Sequence, residues 1–323
     1  MGPLVIDTDT AQDDCVAILV GLLDPAADLR AITLVAGNVS FDQQIRNAFL
    51  TMSVAGRLGE VPVYLGSRTP IQRPWVGAEN VHGDGVGGMT MDFSECSPEP
   101  EDGVDALVRT GVEYSGELCV VAIGPLTNIA LATLKDPDFA RNVKTLYVMG
   151  GSNNGRGNIT AAAEFNFYVD PEAAKLVFQA GFDVVVVPWD PVTLRQAVFS
   201  RLVLDEISEI GTELSRFFGR VTKNTLVYDE SVGIAGSTHP DSLTTAIVLH
   251  PELATRIGSY HVDIEAESDL TRGYSAMSWG VHGLAPNARV VEEIDSEGFY
   301  RYIAGIVSIE TRPSRAIRYP DSG

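Results

Sequence analysis

Four aspartates, Asp7, Asp9, Asp13 and Asp14, fall within eight positions of VIDTDTAQDD, directly behind an apolar run. Carboxylates this close repel one another unless some take up protons or a cation sits among them. Asp13 and Asp14 occupy the expected start of a helix, where the helix dipole and free N–H groups favour acids. That does not account for Asp7 and Asp9, which end an apolar strand where charge is costly. A hard divalent cation accounts for those two. Oxygen donors without a nearby His or Cys point to Ca²⁺ or Mg²⁺ rather than zinc. The spacing is not that of an EF-hand, so a further ligand has to come from elsewhere in the chain. Asp241 in STHPDSLTTAIVL, before another apolar helical run, is the candidate.

The elements that must position these residues are readable as a succession. Strands are expected at LVIDTD, LRAITLVAG, VPVYLG, ELCVVAIGP, VKTLYVMGG and DVVVVPWD. Between them, helices are expected at DDCVAILVGLL, FDQQIRNAFLTMSVAGRLG, LTNIALATLK and PEAAKLVFQAG. Continuous Val, Ile and Leu runs with little alternation suit a parallel sheet covered on both faces. The expected fold is therefore α/β, an open, mostly parallel, Rossmann-like sheet. The last third adds helices around 201–228 and 242–250, a hairpin in YHVDIEAESDLTRGYSAM and a final helix in SEGFYRYIAGIV. The stretch 66–100 reads as surface loops. With no repeat or linker, residues 1–323 are expected to form one domain. Polar clusters follow the first, second and two middle strands, and in open α/β sheets ligands bind at those carboxyl ends.

The 323-residue chain carries 43 acidic and 23 basic side chains, a net charge of -20. Lacking basic tracts, it is not expected to bind nucleic acid. No apolar run reaches the length of a membrane span, and no signal peptide is evident. Cys15, Cys96 and Cys119 fit neither a disulfide framework nor a zinc pattern. A cytoplasmic location is expected.

Taken in order, VIDTDTAQDD, VAGNV, VHGDGVGG, AIGPLTNIALA, VMGG, GNITAAAEFNFYVDPEAA, Asp241 and VDIEAESDLTRGYSAM resemble the inosine/uridine-type nucleoside hydrolases over almost the whole chain. The resemblance implies hydrolysis of the N-glycosidic bond of ribonucleosides with a bound Ca²⁺, and a homodimer or homotetramer. It makes Asp9 a metal neighbour and the base that deprotonates the attacking water. Asp14, Asp241 and the Thr127 carbonyl become metal ligands, and Asp13 lies near the ribose hydroxyls. Asn38, Asn158, Glu164 and Asn166 hold the ribose, with Met149 against the sugar. His82 matches a position near the base, and Tyr228, thirteen residues before Asp241, is a candidate to stack on or protonate the base, with packing as the other reading. Many members carry His immediately before the last aspartate, where it helps protonate the departing base. Here that position is Pro240, with His239 one earlier. Two other readings share these residues: a non-catalytic nucleoside- or ribose-binding protein of the same fold, and a haloacid-dehalogenase-type phosphatase, whose strand-end Asp-x-Asp overlaps VIDTDTA.

Overall fold

The computed structural model describes residues 2–280 and 283–320. Eleven strands are present among them: β1 (Pro3–Thr8), β2 (Asp28–Leu34), β3 (Val63–Leu65), β4 (Leu118–Ala122), β5 (Val143–Met149), β6 (Val184–Val187), β7 (Val198–Phe199), β8 (Ser237–Thr238), β9 (Ala254–Ile264), β10 (Ser275–Ser278) and β11 (Ala288–Ile294). Nine form one sheet in the order β10-β9-β11-β6-β5-β4-β1-β2-β3, and β7 pairs with β8 separately. From β3 across to β11 every pairing is parallel; β9 runs antiparallel to β11 and β10 to β9.

The six parallel strands expected from their apolar runs are all present. The sheet also holds β11, whose Glu292 and Glu293 broke the apolar pattern. The chain moves from β1 to β2 and β3 on one side, then returns to place β4 on the other side of β1. This reversal opens a crevice at the carboxyl ends of β1 and β4, the usual ligand position in such sheets.

Helices cover both faces. Helix 12–23 is buried along ten of its residues, from Gln12 to Gly21. It lies in the larger core cluster with Leu4, Ile6, Ile32, Leu34 and the helix 240–249 residues Leu243, Ala246 and Ile247. A second cluster on the other face joins Val5, Val120, Leu146, Val148 and Val186 to Leu126, Ile129 and Val177. Alternate residues of β1 thus enter opposite cores, as the two-residue period of a strand requires. The helix expected over 41–59 ends at Val54. Gly56 then adopts φ +70, a left-handed conformation open to glycine at little cost, and turns the chain away. Helix 103–113 was not expected; Asp102 caps it by accepting from the Val104 N–H. Within 66–100 the chain is mostly loop, with one short helix at 79–82.

Candidate active site

Four of the parallel strands deliver a piece of the site just past their carboxyl ends. Asp9 follows β1, Gly37 and Asn38 follow β2, Gly124 to Thr127 follow β4, and Gly150 follows β5. Two glycines permit the convergence on Asp9. A Cβ on Gly37 would lie 2.0 Å from Asp9 Oδ2, and one on Gly124 would lie 3.0 Å from Asp9 Oδ1. Gly37→Ala is therefore expected to push the Asp9 carboxylate aside. A displacement near 1 Å lowers kcat by roughly a hundredfold, and overpacking of about 1–3 kcal/mol lowers the melting temperature by roughly 2–4 °C. Steady-state kinetics beside a thermal melt checks both.

Asn38 ties the first two strand ends together. Its backbone N–H donates to Asp9 Oδ2 at 2.8 Å and its amide to Asp14 Oδ2 at 3.2 Å. Asp14 also accepts from the Thr8 hydroxyl at 2.6 Å and the Ala11 N–H at 3.1 Å. Asp7 points elsewhere, its Oδ1 accepting from Thr33 at 2.5 Å and Asn128 at 2.7 Å. It braces β1 against β2 and the helix 127–135. Asp9 is fully buried, and its Oδ1 has no hydrogen-bond partner among the described residues.

Asp13 has a different task. Its Oδ1 accepts from His239 Nδ1 at 2.9 Å and the Ser242 hydroxyl at 2.7 Å; its Oδ2 accepts from the N–H groups of Asp241 at 2.6 Å and Ser242 at 3.1 Å. One carboxylate thus caps the N-terminus of helix 240–249, where charge and free N–H groups favour it, and carries Asp241 to the β1 cluster. Asp13→Ala should leave those donors buried and unpaired. The expected loss is about 3 kcal/mol, read as a melting temperature lower by roughly 4 °C.

Asp13, Asn38, Met149, Asn158, Glu164, Asn166 and Asp241 all line one cavity of about 320 Å³, together with His82 and Tyr228. Glu164 begins the helix 165–169, accepting from Asn166, Phe167 and Gly151 N–H groups. The Asn166 amide donates to the Ile123 and Met149 carbonyls at 3.0 and 3.2 Å, so its oxygen is left for a ligand. The Phe165 N–H donates to the Asn158 side-chain oxygen at 2.8 Å. Thr127 begins the helix 127–135 and spends its hydroxyl on Asp170 at 2.6 Å.

His239, the candidate left where the family's histidine is displaced by Pro240, is not placed at the cavity, so the structure does not bring it to the base. Its imidazole is buried between Phe199 and Phe218, ring centroids 4.3 and 5.3 Å away, with Nδ1 committed to Asp13. Pro240 takes the lining position instead. Proline's fixed φ at the start of helix 240–249 turns the preceding side chain inward. His239 therefore supports Asp13.

The cluster holds more negative charge than it balances. Burial raises Asp14 to about 6 and Glu164 and Asp7 to about 7. Asp9 and Asp241 are raised well above the ordinary range, by burial first and then by the Asp14 charge, which places Asp241 beside the β1 cluster. Among the described residues no Lys or Arg pairs with Asp7, Asp9, Asp14, Glu164 or Asp241. Nor do three or more His, Cys, Asp or Glu side chains close into a finished ligand cage. The available donors are mixed, carboxylates with amide and carbonyl oxygens, and this composition suits a hard cation.

The same cavity is lined by Gln12, Asn80, Thr225 and Asp229, which carried no sequence signal, and by Trp189. The Trp189 indole N–H is buried without a partner among the described residues. Trp189 follows β6, so its strand-end position was the available clue. Asp229 sits inside the long helix 213–231, where acids are common.

Comparison with known proteins agrees with this geometry. The family model described as inosine-uridine preferring nucleoside hydrolase matches residues 4–301. The chain belongs to that family. As a nucleoside hydrolase, it cleaves the N-glycosidic bond of ribonucleosides. It is 35% identical over 310 residues to the pyrimidine-specific ribonucleoside hydrolase RihA of Citrobacter koseri, covering 94% of this chain and 96% of that one. To RihA of Escherichia coli it is 33% identical over 309 residues, covering 94% and 97%. The purine-preferring ribonucleoside hydrolase of Gardnerella vaginalis superposes with a TM-score of 0.87 at 27% identity, covering 95% of this chain and 98% of that one. A plant nucleoside hydrolase superposes at 0.86 and 27%, covering 95% and 99%. The binding-protein and phosphatase readings fall away with this membership.

Proposed function

We propose that this hydrolase is calcium-dependent and that Asp9 is its general base. The observation carrying the reading is Asp9 Oδ1, buried and unpartnered beside Asp14, in a cluster without a balancing Lys or Arg. Asp9, Asp14 and Asp241, with the Thr127 carbonyl, would hold Ca²⁺. When bound, the ion would neutralise these carboxylates and hold the attacking water and the sugar diol in register.

The remaining work belongs to the chain. Departure of the base builds positive charge on the ribose ring, as in glycoside hydrolysis. Glu164 and the free oxygen of Asn166, fixed by backbone contacts, offer negative potential to that charge without reorganising. Asn38 and Asn158 grip hydroxyls from the cavity wall, Met149 packs on the sugar, and Asp9 takes the water's proton. His82 and Tyr228 face the base. His82 donates or accepts there as a neutral ring, since burial lowers its pKa to about 4 and its Nδ1 is engaged by Gln12 at 2.9 Å.

We further propose a cytoplasmic enzyme of base salvage, one domain per chain, assembled as a homodimer or homotetramer. Three free thiols and the exposed Leu270 and Trp279, at 85% and 70%, support this. Among the described residues no helix is long and apolar enough to cross a membrane.

A panel of purine and pyrimidine nucleosides assayed for reducing sugar, with and without chelator, tests the reading. Ribose release is expected from at least one nucleoside, falling by more than a hundredfold in chelator and returning with Ca²⁺. Full activity in chelator would remove the ion from the mechanism.

A further inference from the structure

We propose that Asp229 protonates the departing base. The assignment rests on nucleoside hydrolysis as the reaction and not on the metal. Asp229 lines the same cavity as Asn38, Asp13 and Asp241, yet is only 3% exposed. Its two oxygens are treated differently. Oδ2 accepts both the N–H and the hydroxyl of Thr238, at 2.8 and 2.9 Å, which fixes the rotamer. Oδ1 has no hydrogen-bond partner among the described residues, and it is the end that can carry a proton toward a ligand.

The other groups near the base serve this purpose less well. Pro240 offers no donor. His239 is walled off behind Phe218 and bonded to Asp13. His82 holds no spare proton at neutral pH. The Trp189 indole can donate a hydrogen bond but does not surrender its proton. Burial raises the Asp229 acid to about 6, close to where a general acid works best. The titratable and charged groups around it are His239, the one charge opposing that rise; Tyr228, beside it on the helix; His82 and Arg156, elsewhere on the cavity lining; and Arg201, held by Glu230.

The step balances. As the C1′–N bond breaks, its electron pair goes to the base, which takes the proton from Asp229 Oδ1. The carboxylate so formed is stabilised by the two Thr238 donors. The water oxygen bonds to C1′ and its proton passes to Asp9. Solvent then returns a proton to Asp229 and removes one from Asp9.

The test compares wild type with Asp229→Asn on two substrates: the better of uridine and inosine, and p-nitrophenyl β-D-ribofuranoside, whose leaving group needs no proton. Loss of a general acid is expected to lower kcat/KM for the nucleoside about a hundredfold, leaving the p-nitrophenyl riboside within about twofold of wild type. The alkaline decline of the nucleoside pH profile should vanish in the variant. Equal losses on both substrates would make Asp229 a structural support and overturn the proposal, as would an unchanged nucleoside rate. Wild-type protein inactive on both substrates would overturn the hydrolytic reading itself, and the assignment with it.

Discussion

Asp9→Asn is expected to abolish ribose release while the protein still folds. A positioned general base contributes at most about 10⁴-fold, and the substitution also removes a negative charge from the proposed cation site, so kcat should fall by roughly that full factor. The fold should survive because the amide is isosteric and its oxygen still accepts from the Asn38 N–H, as Asp9 Oδ2 does at 2.8 Å. The packing partners Gly37 and Gly124 leave room for no larger group. Stability should hold or rise, since a buried carboxyl next to Asp14 is costly when charged. Single-turnover ribose release beside a thermal melt separates chemistry from folding. A variant retaining even a tenth of wild-type turnover would mean that another group takes the water's proton.

The contrast between Asp9 and Asp13 shows what a sequence displays and what it conceals. Both stand in one acidic run, and spacing alone gives them a common purpose. The structure divides them: Asp9 is left with an unpartnered oxygen, whereas Asp13 spends both of its oxygens on a helix 228 residues away. No local pattern encodes that partnership, because it depends on how helix 12–23 packs against helix 240–249. The parallel strands were legible for the opposite reason. Burial on both faces imposes an unbroken apolar run, which is a local property. Where a strand leaves the core this constraint weakens; β11 lies between β9 and β6, but Glu292 and Glu293 near its end are half-buried and exposed, and its pattern dissolves into that of a loop. Helix 103–113 carries a readable apolar stripe in Val104, Leu107 and Val108, and was hidden only by the Gly- and Pro-rich stretch that leads into it. Asp229 and Trp189 show the limit for sites. A buried acid in a long helix and an aromatic after a strand are ordinary residues until the cavity between them is seen.

Calcium should stabilise the protein, and Asp14→Asn should erase that stabilisation together with activity. A ligand that binds only the native state contributes about 4 kcal/mol at a thousandfold excess over its dissociation constant. With an unfolding entropy near 2.1 cal/mol/K per residue, this corresponds in a chain of 323 residues to a rise in melting temperature of about 6 °C. Asp14 is the carboxylate to remove because its setting tolerates an amide. The amide oxygen can keep the Ala11 N–H, bonded at 3.1 Å, and the amide nitrogen can donate to the Thr8 hydroxyl, now 2.6 Å from Asp14 Oδ1. The variant therefore folds but presents one anionic donor fewer, next to the Asp9 and Asp241 carboxylates. Differential scanning calorimetry of chelated and Ca²⁺-loaded protein, wild type and variant, gives the four values needed. An upward shift confined to the wild type ties the ion to the β1 tip. A shift of equal size in Asp14→Asn would place calcium elsewhere on the molecule, and no shift in either would detach the acidic cluster from calcium altogether.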